Sequence, residues 1–158
     1  MSFPPYVDLR RDYTLPGEPS FLGRNIAISI VNLSQSSSFV NWGGLYRIED
    51  FSAKTIDPAN GQIYSPGQPG YAQAAVRRSQ VTNEGVTIPE TGISGTRSLK
   101  GGYLYAPYLI VNASPSQFLN GTSYAFFAQA AANPDGYSHI RVASPNRFEF
   151  EDAYSGGD

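Results

Sequence analysis

Apolar and polar residues alternate along several segments of the chain, with the period of a β-strand that has one buried face. Between positions 25 and 33, Ile26, Ile28 and Ile30 alternate with small or polar residues, and this pattern predicts a strand. Positions 44–51 alternate Tyr46 and Ile48 with charged residues and predict another. Similar patterns predict further strands at 85–88, 103–111, 123–130, 138–143 and from 147 to the end of the alternation.

Turn-forming residues separate these segments. Asn-Gly at 60–61 and Asn-Pro-Asp-Gly at 133–136 favour the left-handed backbone of tight turns. Residues 71–81 are the best helix candidate, with one stripe formed by Tyr71, Ala74, Ala75 and Arg78. Short strands, many turns and one short helix predict an all-β fold, an antiparallel β-sandwich of jelly-roll type.

Pro107 interrupts the aromatic and β-branched segment at 103–111. Proline has no backbone N–H to donate to a neighbouring strand, so it is found mainly at sheet edges and bulges. The sequence therefore predicts an edge strand or a bulge at this position.

The first 22 residues differ from the rest. They contain prolines at positions 4, 5, 16 and 19, which exclude a helix, and they show no apolar periodicity. We therefore expect an extended N-terminal arm over residues 1–22 and a single β-sandwich domain over residues 23–158.

Composition narrows the possible functions. A chain of 158 residues fits one domain, and only 15% of its residues are charged. The formal net charge of −2 gives no basic face for nucleic acid, and no apolar run approaches the roughly 20 residues that would insert in a membrane. The N-terminus lacks the basic-then-apolar order of a signal peptide, so synthesis in the cytoplasm is expected.

Carboxylates cluster at the C-terminal end. Glu149, Glu151, Asp152 and Asp158 lie within ten residues, and no cation follows Arg147. Such a cluster faces water, meets a basic neighbour or holds a hard cation such as calcium, which prefers carboxylate and carbonyl oxygens. The candidate metal ligands are Glu151, Asp152 and Asp158.

Catalysis finds little support. His139 follows Asp135 and invites a general-base interpretation, but the alternation places it on the face of Arg141, which we expect to face solvent. The chain has no cysteine and no Gly-x-Ser-x-Gly motif that such a base would activate. The sequence therefore predicts a protein that is not an enzyme.

The predicted arm carries aromatic and basic residues that have no core of their own there. Aromatic side chains bury much area at interfaces, and an arginine pair can bind an acidic neighbour, including the acidic end of another copy. The candidate partner-binding residues are Phe3, Tyr6, Arg10, Arg11 and Tyr13.

Five phrases in order resemble a bacterial, largely cyanobacterial, domain of unknown function found in surface and RTX-type calcium-dependent proteins. They are NWGGLYRIED at 41–50, PGQPGYAQAA at 66–75, YAPYLIVN at 105–112, NPDGYSHIR at 133–141 and FEFEDAYSGGD at 148–158. The resemblance implies a β-rich, non-enzymatic module near calcium-binding repeats, with the metal carried at Glu151, Asp152 and Asp158. Family members usually continue past Gly-Gly-Asp into a last strand, so we expect a sheet edge here that another strand completes.

Two functions follow as expectations. The first is a structural assembly protein, a virion component such as a capsid cement or decoration protein. It would form a homo-oligomer, such as a trimer, and contact other structural proteins through its arm and sheet edges. The second is a calcium-dependent extracellular surface or adhesin module. The expected location is accordingly the virion or an extracellular surface.

Overall fold

An antiparallel sheet of five strands lies at the centre of the protein. The computed structural model describes residues 4–31, 40–89 and 94–150. Its strands are β1 (Val7–Asp8), β2 (Asn25–Val31), β3 (Trp42–Ile48), β4 (Thr55–Ile56), β5 (Ile63–Tyr64), β6 (Gly85–Pro89), β7 (Ser94–Lys100), β8 (Leu104–Ile110), β9 (Ala125–Phe127), β10 (Ile140–Ser144) and β11 (Arg147–Phe150). Its helices are α1 (Tyr71–Ser79) and α2 (Pro115–Leu119), with a 3-10 turn at Ala130–Ala132. The all-β prediction is confirmed.

Strand β8 lies inside the central sheet rather than at its edge. Along one side it pairs with β3 over its whole length, in the order β1-β8-β3-β6. Along its other side it pairs first with β1, up to Tyr105, and then with β9, from Tyr108. Pro107 lies between these two short partners, where neither strand reaches it. The prediction of an edge strand or a bulge was wrong, because a gap between two partners accommodates the missing N–H equally well.

Both faces of the central sheet are covered. On one face, aromatic residues pack beneath α1 and α2 in a core that includes Tyr46, Tyr71, Tyr108 and Phe127. On the other face, Leu45, Val86, Leu99 and Tyr105 pack with the inward isoleucines of β2. Burial on both faces explains why every residue of β8 is buried.

The covering layer on the second face is a ribbon of two strands, β2 and β7. They pair antiparallel from Asn25 opposite Lys100 to Val31 opposite Ser94. A bridge between Asn83 and Leu99 connects the ribbon to the segment that leads into β6. The ribbon and the central sheet therefore form a sandwich-like half-barrel, and Ile26, Ile28 and Ile30 lie half-buried between them.

Helix α1 confirms the predicted stripe, since Tyr71, Ala74, Ala75 and Arg78 are all buried. The buried Arg78 is paired with two carboxylates. Its Nη1 lies 2.9 Å from Glu49 and its Nε lies 3.0 Å from Glu84. A buried cation needs such partners.

Helix α2 was not predicted, although its sequence carries a start signal. The Ser114 side chain accepts a hydrogen bond from the Gln117 backbone N–H, the Gln117 side chain accepts one from the Ser114 backbone N–H, and Pro115 occupies the first turn. This is a capping box with an N-terminal proline.

The hairpin of β10 and β11 differs from expectation in its exposure. Ile140 is buried, but Phe150 opposite it keeps 42% of its surface exposed. The alternation of Phe148 and Phe150 predicts one buried face for the last strand; in the structure Phe148 is half-buried and Phe150 is exposed.

The N-terminal segment folds back onto its own chain. Val7 and Asp8 form β1 against β8, and Leu9 is buried in the core beneath the ribbon. The backbones of Arg11 and Ser20 form an isolated antiparallel β-bridge, which closes a loop over residues 11–20. No helix among the described residues has the length and apolarity needed to cross a membrane.

Candidate functional site: an N-terminal surface patch

Asp8 organises the surface at the start of the chain. Its carboxylate accepts hydrogen bonds from the Nε and Nη2 of Arg10, at 3.0 and 2.8 Å, and from the Tyr13 hydroxyl at 2.8 Å. Burial works against ionisation of Asp8, but these hydrogen bonds outweigh it and lower its pKa. The bidentate contact holds the Arg10 guanidinium in one orientation.

Arg10 in turn meets an aromatic pair. Its guanidinium carbon lies 4.8 Å from the centre of the Phe51 ring, and the Tyr6 and Phe51 ring centres are 5.4 Å apart. Tyr6 packs against the main core on its other side. Phe51 follows the end of β3 and is 58% exposed, so the outer side of this stack is open to a partner.

The loop over residues 11–20 lies beside Arg10 and forms the second part of this surface. The Asp12 N–H donates to the Pro19 carbonyl at 2.9 Å, and the Arg11 guanidinium donates to the Glu18 carbonyl at 3.1 Å. Gly17 and Glu18 take positive φ values of 78° and 45°, the left-handed conformation that tightens this turn. Backbone hydrogen bonds therefore fix the loop and leave the Arg11 side chain exposed.

A shallow open concavity of about 430 Å³ lies between the loop and the sheet. Its lining residues are Arg10, Arg11, Tyr13, Glu18, Ser20, Leu22 and Gly102. Tyr13 and Leu22 are 48% and 64% exposed here, and exposed large side chains that lie together mark candidate interaction surfaces. We call the surface formed by Tyr6, Arg10, Arg11, Tyr13, Leu22 and Phe51 the N-terminal patch.

The structure thus brings together all the predicted partner-binding residues that it describes. Tyr6, Arg10, Arg11 and Tyr13 belong to the patch, and Phe3 lies outside the described residues. Phe51 and Leu22 were not predicted. The sequence does indicate that Phe51 is exposed, because in a period of two it falls on the face opposite to the inward residues Tyr46 and Ile48.

The predicted metal ligands Glu151, Asp152 and Asp158 lie outside the described residues. Within residues 4–31, 40–89 and 94–150, no three histidine or carboxylate side chains are grouped as a metal would require. Calcium at the C-terminal end remains a prediction.

His139 differs from its predicted place on the solvent face. It is 3% exposed, its Nε2 lies 2.7 Å from the Asp135 carboxylate, and its ring stacks on Phe126 with the ring centres 3.4 Å apart. Asn133 holds the preceding turn, since its side chain bonds to both backbone groups of Phe127 and to the Tyr137 carbonyl. The prediction was wrong because β10 begins only at Ile140, so His139 lies between the turn and the strand and is not part of the alternation.

Comparison with known proteins found no match among family models, curated proteins or solved structures. The resemblance to the cyanobacterial domain therefore stays a prediction from its motifs.

Proposed function

We propose that this chain is a non-enzymatic structural protein that works within an assembly, such as a capsid cement or decoration protein on a virion. The N-terminal patch carries the proposal. It combines three features of interface cores: exposed aromatic and aliphatic side chains, arginine held by stacking, and a backbone fixed before a partner binds.

The N-terminal patch is preorganised for binding. Arg10 is held by Asp8 and stacked on Phe51, and the loop over residues 11–20 is closed by backbone hydrogen bonds. A partner that binds there would order few side chains, so little conformational entropy would be lost. The low charged fraction of the chain, 15%, also favours a surface that neighbours cover.

Light scattering over a range of protein concentrations tests the proposal. We expect a homo-oligomer for the wild-type chain and a lower mass for Leu22→Lys and Phe51→Lys, because each lysine must lose water to enter an apolar contact. Ile63→Lys is the matched control, since Ile63 is exposed to the same extent as Phe51, 55% against 58%, and does not belong to the patch.

Equal masses for the patch variants and the control would contradict the proposal, as would a wild-type monomer at every concentration. Light scattering and a thermal melt, each repeated with a chelator, test the alternative function. If chelation lowers both the mass and the melting temperature, the calcium-dependent surface module gains support instead.

A further inference from the structure

The ribbon of β2 and β7 has one side that no described strand covers. Among the described strands, β2 pairs with β7 alone. The backbone hydrogen bonds found outside strands and helices in the described ranges involve no residue from Asn25 to Val31. A strand in this position presents a row of backbone donors and acceptors to its surroundings.

Natural edge strands are usually protected against pairing with other chains. Lysine, proline, a bulge or a very short length are the common devices. Strand β2 has none of them: it is seven residues long, has the sequence NIAISIV and keeps a continuous register with β7. Its outward residues Ala27 and Ser29 are small, and neither they nor the strand ends at Asn25 and Val31 carry a charged side chain.

We propose that β2 pairs edge to edge with β2 of a second copy of this chain, antiparallel and about a two-fold axis at Ile28. With the axis at this residue, the whole strand from Asn25 to Val31 pairs with the same strand of the second copy. This pairing places Ile26 opposite Ile30 of the second copy and Ala27 opposite its Ser29, because directly opposite residues lie on the same face.

The pairing is self-complementary in both chemistry and shape. The inward isoleucines of the two copies form one continuous apolar row, which extends the half-barrel core of each copy into the other. No charged side chain within Asn25–Val31 meets a like charge, so no electrostatic term opposes the contact.

A contact of one strand pair is smaller than a standard interface of about 800 Å² per partner, so the isolated dimer is expected to be weak. Within an assembly that also uses the N-terminal patch, the second contact becomes intramolecular and gains from effective concentration. This inference rests on the proposed function and deepens it, because it names a second copy of the chain as one partner.

A pair of lysine variants tests the edge. In Ala27→Lys/Ser29→Lys, each new lysine lies opposite a lysine of the second copy, and we expect dimer affinity to fall by about tenfold or more. The matched control is Thr96→Lys/Ser98→Lys. These two exposed residues of β7 lie opposite Ser29 and Ala27, so the control adds the same charge to the same ribbon but away from the free edge.

Sedimentation equilibrium from about 1 µM to about 1 mM measures the dissociation constant, and circular dichroism confirms that each variant folds. A charge exchange adds a positive test: Ala27→Glu/Ser29→Glu should also weaken the dimer, and an equimolar mixture with the lysine variant should restore it as a heterodimer. Restoration supports the pairing register, because each lysine then lies opposite a glutamate.

Two results would overturn the inference. If the edge and control variants have the same mass as the wild-type chain while the patch variants lose mass, β2 pairing is refuted and the proposed function stands. If the wild-type chain is monomeric throughout, both fall. An edge variant that folds and weakens while the control does not is the result expected from β2 pairing.

Discussion

Two buried tyrosines give the sharpest test of the packing beneath α1. The Tyr46 and Tyr71 hydroxyls are 2.7 Å apart, and the Tyr71 hydroxyl donates to the Ala53 carbonyl at 2.6 Å. Tyr71 therefore uses its one proton on Ala53 and accepts the proton of Tyr46. All three residues are buried, and Ala53 has a left-handed backbone with φ of 67°.

The order of donors predicts unequal costs for two substitutions that each remove one oxygen atom. Tyr46→Phe removes one hydrogen bond and leaves an acceptor with one bond fewer, which should cost about 1 kcal/mol. Tyr71→Phe leaves both the Tyr46 hydroxyl and the Ala53 carbonyl without their partner, so we expect about 2–4 kcal/mol. In the double variant the Tyr46 hydroxyl is absent too, and the cost should not exceed that of Tyr71→Phe alone.

Urea denaturation measures these differences in the free energy of unfolding, and thermal melts check them. For a chain of this length, 1 kcal/mol corresponds to about 2–4 °C in melting temperature. The double-mutant cycle should show that the two costs are not additive. If Tyr46→Phe costs as much as Tyr71→Phe, or if the two costs add, the assigned direction of the hydrogen bonds is refuted.

Two further predictions concern the same core. Burial raises the pKa of Tyr71 and Tyr46 above the ordinary value of about 10. The free energy of unfolding that depends on their neutral form is therefore complete below pH 10 and is lost as the pH rises further. A melting temperature that stays constant from pH 9 to 11.5 would contradict this. A Cβ on Gly44 would lie 1.9 Å from the Val86 carbonyl oxygen, whereas one on Gly43 would have only an ordinary contact at 3.5 Å. Gly44→Ala should therefore cost more than about 3 kcal/mol and Gly43→Ala less than about 1 kcal/mol in urea denaturation, and similar midpoints would refute the close approach of β3 and β6.

Local patterns predicted the parts of the fold in which neighbours along the sequence determine burial. The period of two in Ile26, Ile28 and Ile30 places them on the inward face of β2, as predicted. The helical stripe from Tyr71 to Arg78 is buried as predicted, including its charged member. In both cases the regular backbone geometry alone decides which side chains share a face.

Features that depend on distant partners were not accessible in the same way. Pro107 indicates that a backbone donor is missing, but not that two different strands, β1 and β9, stop on either side of it. The exposure of Phe150 likewise depends on what packs over the hairpin of β10 and β11, which alternation does not specify. His139 lies one residue before its strand, and strand boundaries are the least certain part of a pattern.

The candidate site was predicted in part. Aromatic and basic residues in a segment without apolar periodicity indicated Tyr6, Arg10, Arg11 and Tyr13, and they share one surface. The expectation that this segment has no core was wrong, because Tyr6 packs on the main core and Leu9 is buried beneath the ribbon. Leu22 and Phe51 join this surface through Arg10, which lies over the Phe51 ring and lines the same concavity as Leu22. These are tertiary contacts between distant segments, so composition alone did not indicate them.

The position of β8 also determines when this protein can fold. Its partners come from nearly the whole described chain, since Val7 pairs with Tyr105 and Trp42 pairs with Ile110. Each such pairing requires a long loop to close, and the conformational entropy of that loop is lost before the new contacts compensate for it. Pairings of this kind make folding slow. On the ribosome, β1 and β3 must therefore wait without their central partner until residues 104–110 have been synthesised. During that interval their unpaired edges are exposed to other chains, so crowded synthesis should favour aggregation over folding more strongly than the stability of the finished sheet suggests.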